Sequence, residues 1–454
     1  MTALPATLEA TRTPLRIVEE PRLADLTQGP PWFHELPYDV AIVGLGYVGL
    51  PTALAFHAAG RSVVGLDVSA RRLDNIRQGH ADLLARDVRS LKTALEGEQF
   101  RLSTDLSLLE HAKTIIICVP TPVDKAMTPE LSVLRGACAT VVAHARAGQV
   151  VILTSTSYVG CTQALICEPL RQRGLDVGTD VFVAFSPERI DPGNSRFTAA
   201  DVPRVVGGAT AACTEKAVEA LSGYTDNLHR VTSMGVAEMS KLVENTFRAV
   251  NVALANEFAD ISRALGLDIS EVLDAAATKP FGFMAFRPGP GVGGHCIPCD
   301  PHYLLWQLRA ERVAAPVIEQ SMRAIAERPR KVVEQARAAL AGAAKSLAGA
   351  RILVLGAAYK ADVEDVRESP AVEIMERLLK AGAEVSYFDP YVPSLAVGAD
   401  GRQLLSVSDP RCVDADLVIL HTAHSTMRLD WLADQALVLD TTYRLRGFSR
   451  IVGL

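Results

Sequence analysis

The sequence predicts an α/β protein, with two doubly wound parallel-sheet units joined by a helical middle segment. Three observations predict it. Short apolar runs alternate with helical stretches from residue 38 to about 231. The same alternation restarts at Arg351. Between them lie long helical patterns with charges spaced among apolar residues, so strands and helices alternate on both sides of a helical centre. At 454 residues the chain exceeds one ordinary core and divides into domains. The expected limits are 1–36 for an irregular N-terminal extension, 37–232 for the first α/β unit, 233–346 for the helical unit and 347–454 for the second α/β unit. The extension holds Pro5, Pro14, Pro21, Pro30 and Pro31 without periodicity, which favours a disordered tail over a docked arm.

The elements follow in order. Residues 39–44, 61–67, 114–119, 150–153 and 181–185 are the apolar runs of the first unit. One long helix is expected over 234–265, and a mostly helical stretch over 300–344, kinked or capped by Pro316 and Pro329. The second unit has strand-like runs at 351–356, 384–389, 415–420 and 437–440.

Composition excludes several classes. A formal net charge of -6 implies no nucleic-acid or anionic-membrane surface. No apolar run is long enough to span a bilayer, and the first residues lack a secretory apolar core. Eight cysteines are scattered without a framework, several inside apolar runs, as in a reduced cytoplasmic protein.

The first chemical signal is Gly44-Leu-Gly46-Tyr47-Val48-Gly49, a G-x-G-x-x-G that follows a strand and opens a helix. This is the dinucleotide fingerprint of a Rossmann-like unit. Its glycines permit a tight turn, and the helix start offers free amides to a pyrophosphate. Asp67 ends the next strand, where a carboxylate can hold both ribose hydroxyls and would repel a 2′-phosphate, so NAD is expected over NADP. Arg72, five residues on, is placed to meet adenine or phosphate.

The second signal is Arg287-Pro-Gly-Pro-Gly-Val-Gly293-Gly-His-Cys296-Ile-Pro-Cys299-Asp300. Glycines admit conformations closed to other residues while prolines stiffen the chain. The loop reads as a shaped cradle ending in a thiol, with Phe286 and Arg287 at its entrance facing a base and a phosphate. A Cys296–Cys299 redox pair or a metal site ranks below a single nucleophilic cysteine; the nearby histidines, His295 and His302, fall short of a metal set. Asp300 before Pro301 reads as a helix N-cap.

Three stretches together resemble the UDP-glucose/GDP-mannose dehydrogenase family: Ser186-Pro-Glu188-Arg189, Ala237-Glu-Met-Ser-Lys241-Leu-Val-Glu-Asn245-Thr-Phe-Arg248, and the cradle from Gly289 to Asp300. The resemblance runs from about 38 to about 444. Its Gly-His-Cys-Ile-Pro version, followed by Asp-Pro-x-Tyr-Leu, is similar to the branch acting on UDP-N-acetylhexosamines. The resemblance implies NAD-dependent oxidation of a sugar C6 alcohol to a carboxylate, with two NAD consumed and Cys296 carrying a thiohemiacetal and then a thioester. It also implies a homodimer or higher oligomer formed through the helical middle.

By the same resemblance, Lys241 and Asn245 steady the oxygen at C6, Glu188 is a base for thioester hydrolysis, and Asp300 orders the water. Thr156 lies near nicotinamide and water, although Thr154 stands where the family often has Glu. Thr121 contacts the cofactor and Arg367 reaches it across the cleft. Arg189, Ile190, Arg248, Gly293, Tyr359, Lys360 and Arg444 match substrate-side positions. The second unit opens with Gly356-Ala-Ala-Tyr359-Lys360 in place of a dinucleotide fingerprint, so it takes a UDP-sugar and not a second NAD. Competing readings are a UDP-glucose 6-dehydrogenase, a nucleotide-sugar sensor with a decayed site, and a hydroxyacid dehydrogenase, which lacks the cysteine loop.

Overall fold

A computed structural model describes residues 38–80, 85–124, 126–189, 201–222, 225–294, 296–398, 400–435, 437–445 and 451–453. The extension expected at 1–36 and the substrate-side position Ile190 lie outside the described residues.

The first unit is built on β1 (Tyr38–Val43), β2 (Val63–Leu66), β3 (Phe100–Ser103), β4 (Ala112–Ile117), β5 (Val150–Leu153), β6 (Phe182–Phe185), β7 (Arg204–Gly208) and β8 (Leu228–Arg230). They form one sheet in the order β3-β2-β1-β4-β5-β6-β7-β8. Every described pairing is parallel except β6 with β7. Helices α1 (Gly49–Ala58), α2 (Ala70–Arg77), α3 (Ala85–Glu96), α4 (Ser132–His144), α5 (Glu168–Gln172) and α6 (Ala211–Leu221) lie between the strands in the chain. The sheet is covered on both faces. Ala41, Val43, Ile115 and Ile117 join one core, whereas Val40, Ile42 and Ile116 join the other. This two-sided burial is why these strands read as continuous apolar runs rather than alternating ones.

The middle is helical: α7 (Met234–Ala264), α8 (Ile269–Ala277), α9 (Asp300–Ala310) and α10 (Pro316–Gly342). Ser233 caps α7 by accepting from the Val236 amide. Ala249 and Ala253 of α7 pack with Leu305, Met322 and Ile325 of α9 and α10; their small side chains let the helices approach. Pro316 sits in the first turn of α10, where a missing N–H costs nothing, while Pro329 lies inside the same helix without ending it.

The second unit has β9 (Arg351–Leu355), β10 (Glu384–Phe388), β11 (Ser394–Val397), β12 (Arg402–Leu405), β13 (Leu417–Leu420), β14 (Val438–Asp440) and β15 (Ile451–Gly453), with α11 (Pro370–Lys380). Its main sheet is parallel in the order β10-β9-β13-β14-β15, and β11 and β12 form a separate hairpin. Each large sheet therefore reverses strand order once, between β1 and β4 and between β9 and β13. Ligands of such sheets bind at the carboxyl ends of the strands beside the reversal. Among the described residues no helix is long and apolar enough to cross a membrane.

Candidate active site

The fingerprint turn lies at the first reversal. Gly44 has φ +91° and an added Cβ would sit 2.7 Å from the Cys118 carbonyl oxygen. At Gly49 an added Cβ would fall 1.8 Å from the Gly44 oxygen, so both positions require glycine. Gly46 differs, since the space beside it is open and a ligand can approach its backbone. One oxygen of Asp67 accepts from the Leu45 amide at 3.0 Å and the other from the Ser69 amide at 2.9 Å. Arg72 Nε donates to the Leu45 carbonyl at 3.1 Å, which braces the turn from outside. Thr121 and Thr156 follow β4 and β5 at the same carboxyl edge, and the Tyr303 hydroxyl donates to the Thr121 carbonyl. The Arg367 guanidinium lies over the Tyr47 ring, 5.7 Å from its centroid. That contact brings the second unit against the fingerprint. The open space at Gly46, the helix start without a side-chain cap and the Asp67 carboxylate at the end of β2 fit a dinucleotide.

A second group of residues meets around the cradle. Lys241 and Asn245 share one face of α7, as their spacing predicts. Lys241 Nζ donates to the Glu188 main-chain oxygen at 2.8 Å. Asn245 Nδ2 donates to Asp300 Oδ2. The Asp300 amide in turn donates to the Cys296 carbonyl at 2.9 Å. Asp300 is 3 % exposed; burial pushes its carboxyl up to about 6, against the lowering pull of the Lys241 charge and the Asn245 bond. Cys296 is exposed and Cys299 is buried, and burial pushes the Cys299 thiol up to about 12. Glu188 accepts from Arg204 Nη1 at 3.1 Å and from the Arg189 amide at 2.8 Å. Arg189 pairs with Glu244 at 2.8 Å.

The second unit presses on the cradle. The Gly294 amide donates to the Arg367 carbonyl at 3.0 Å. A Cβ at Gly293 would meet Tyr359 Cβ at 2.5 Å, and one at Gly294 would meet the Tyr359 ring at 3.0 Å. The cradle glycines thus let Tyr359 lie directly on the backbone of the thiol loop. Lys360 follows Tyr359 at the carboxyl end of β9, and exposed Arg444 donates to the Ala423 carbonyl beyond β13. Both stand at the second reversal. Arg248 is exposed on α7, three residues past Asn245.

Family descriptions match this layout in order. The UDP-glucose/GDP-mannose dehydrogenase family's NAD binding domain matches residues 38–224, its central domain 235–325 and its UDP binding domain 353–446. The chain belongs to the UDP-glucose/GDP-mannose dehydrogenase family. It is an NAD-dependent nucleotide-sugar dehydrogenase with a UDP-binding domain. It is 35 % identical over 408 residues to a UDP-N-acetyl-D-glucosamine 6-dehydrogenase of Pseudomonas aeruginosa, covering 86 % of this chain and 91 % of that one. It is 33 % identical over 412 residues to a UDP-N-acetyl-D-mannosamine dehydrogenase of Escherichia coli K12, covering 86 % and 94 %. Among solved structures, a UDP-D-ManNAc dehydrogenase from Pyrococcus horikoshii superposes with a TM-score of 0.82 at 31 % identity, covering 91 % of this chain and 98 % of that one.

One expectation for this dehydrogenase is corrected. Asp300 does not cap α9; Cys299 occupies that position and Asp300 is the first helical residue, its carboxylate turned to Asn245. The pull of a buried amide donor outweighs a local cap. Phe286 and Arg287, expected at the cradle entrance, are engaged by α7 and α8 in this structure. Phe286 lies edge-on to Phe247, and Arg287 is held by Asp274 and the Ser270 carbonyl on α8. Sequence reading also missed Arg204, which is 5 % exposed and bonds both Ser186 Oγ and Glu188. A lone arginine in an apolar strand carries no spacing signal, so only the fold reveals it.

Proposed function

We propose that the protein oxidises the C6 alcohol of a UDP-N-acetylhexosamine, in the gluco or manno series, to the uronic acid through a covalent bond at Cys296. The observation that carries this reading is the chain Cys296–Asp300–Asn245, with Lys241 and Glu188 beside it. Gly44, Gly46, Tyr47, Val48, Gly49, Asp67, Arg72, Thr121, Thr156 and Arg367 would hold NAD, which supplies a hydride acceptor for each oxidation. The remaining work falls to this chain. Departure of the first hydride, with the hydroxyl proton released to solvent, leaves an aldehyde at C6. The Cys296 thiolate adds to that carbon and forms a C–S bond. Lys241 Nζ and Asn245 Nδ2 stabilise the oxygen anion formed there. Loss of the second hydride gives a thioester. Glu188 takes a proton from water ordered by Asp300, the C–S bond breaks, and the acid leaves with the thiol restored. Arg189, Arg248, Gly293, Tyr359, Lys360 and Arg444, with Ile190 by resemblance, form the substrate side. The relatives named for N-acetylglucosamine and N-acetylmannosamine substrates support the sugar class. We keep the functional units at 37–232, 233–346 and 347–454.

The test is the stoichiometry of NADH formed on a panel of UDP-sugars. Two NADH per UDP-N-acetylhexosamine, with the uronic acid as product, are expected. One NADH per sugar, or turnover confined to UDP-glucose, overturns the reading.

The protein is further proposed to be a homodimer. Val236, Val243, Phe247, Leu254, Phe258 and Ile261 are all exposed large apolar residues of α7. They recur at steps of seven, four, seven, four and three, which sets them in one stripe along the helix. A second copy of α7 is the complementary occupant. Leu254→Asp with Phe258→Asp is expected to raise the dimer dissociation constant by about 1,000-fold in sedimentation equilibrium; an unchanged mass excludes this face. Eight free thiols suit a reducing compartment, and we place the protein in the cytoplasm.

A further inference from the structure

Arg328 of α10 is the largest side chain among those fully buried, at 1 % exposed. A buried guanidinium must be matched by acceptors. Three separate parts of the chain supply them. Nε donates to the Gly289 carbonyl at 3.0 Å, Nη1 to Asp260 Oδ1 at 2.8 Å, and Nη2 to the Tyr443 hydroxyl at 2.8 Å. Gly289 begins the cradle that ends in Cys296, Asp260 lies on the helix that carries Lys241 and Asn245, and Tyr443 precedes Arg444 in the UDP-binding unit.

Each partner is fixed a second time. The Gly289 amide donates to Asn256 Oδ1 at 2.9 Å. Asp260 also receives Lys331 Nζ at 2.7 Å and Arg263 at 3.2 Å. The Tyr443 carbonyl accepts from Ser270 Oγ at 3.1 Å. The Tyr443 ring packs on Ala259, Ile269 and Leu273 and also on the core of the second unit. Tyr443 has φ +57°, a left-handed conformation that a bulky residue keeps only where its surroundings impose it.

We propose that Arg328 is a positioning residue and Tyr443 its latch: together they register the Tyr443–Arg444 turn of the UDP-binding unit against the start of the cradle, and so set affinity for the UDP moiety. This rests on the reading of the cradle and second unit as the nucleotide-sugar site. Arg328 touches neither reacting atoms nor cofactor. It acts by holding two ligand-facing backbones at one distance, which a methionine of similar length cannot do.

Calorimetric binding of UDP alone tests the proposal without relying on turnover. Tyr443→Phe removes one hydroxyl and leaves the ring packing, so it is the variant expected to fold. Its UDP dissociation constant is expected to rise about tenfold, with NAD binding unchanged. Arg328→Met is expected to weaken UDP at least as much. The double variant should match Arg328→Met alone, because both changes break one contact. In the parent, UDP is also expected to shield Cys296 from alkylation by iodoacetamide, and this shielding is expected to need about tenfold more UDP in Tyr443→Phe. Wild-type affinity for UDP in Tyr443→Phe overturns the latch. Losses that multiply in the double variant, or an equal loss of NAD binding, show a general structural role and overturn it as well. If the wild-type chain binds no UDP, the substrate reading itself fails and takes this proposal with it.

Discussion

Cys296→Ser is expected to abolish acid formation, with turnover reduced by at least about 1,000-fold. A serine hydroxyl ionises far above neutral pH and leaves a tetrahedral centre poorly, whereas a thiolate adds and leaves readily. The substitution changes one atom at an exposed position whose backbone, not side chain, receives Asp300. UDP and NAD binding should therefore persist. Rapid-quench single turnover is the measurement: the parent yields two NADH and the uronic acid, and the serine variant yields no acid. Cys299→Ala provides the contrast. Its thiol is buried and pushed up to about 12, so it stays protonated, and the variant should retain turnover within a few-fold. Parental acid formation by Cys296→Ser removes the covalent route.

Lys241→Met is expected to lower kcat by about 100- to 1,000-fold, the loss found when one donor to a developing oxyanion is removed. It should also displace the pH profile. Asp300 is raised from 3.8 to about 6 by burial, and Lys241 is the largest influence opposing that rise. Steps that need the ionised carboxylate therefore gain rate as pH climbs through about 6 in the parent. Without the ammonium the carboxylate is harder to ionise, so the acid limb moves to higher pH. The fold responds with the opposite sign. Because the folded pKa lies above the unfolded one, Asp300 favours the folded state most at low pH, and that contribution fades as pH rises from 3.8 to about 6. A pH–rate profile whose acid limb is the same in parent and Lys241→Met excludes Asp300 as the group behind it.

The first sheet was legible because its strands are buried on both faces and bounded by turns. The fingerprint was legible because Gly44 and Gly49 answer to local sterics within a few residues. Lys241 and Asn245 were placed on one face by helical period alone. Short or polar elements escaped. Strands β3, β7 and β8 and the β11–β12 hairpin are three to five residues long and lack a long continuous apolar run, so nothing sets them apart from loops. Asp300 was misread for a related reason. Asp-Pro is a strong local cap signal, but the amide that captures the carboxylate is 55 residues away.

The sequence by itself determined the order of the three units, the dinucleotide turn and the identity of the thiol loop, because each depends on spacing along the chain. Tertiary structure alone decided which charges meet. Arg328 joins Gly289, Asp260 and Tyr443 across separations of 39, 68 and 115 residues. Arg204 was matched to Glu188, and Arg287 was drawn from the cradle to Asp274. A buried guanidinium has to find acceptors wherever packing brings them, and that requirement leaves no mark on the residues beside it.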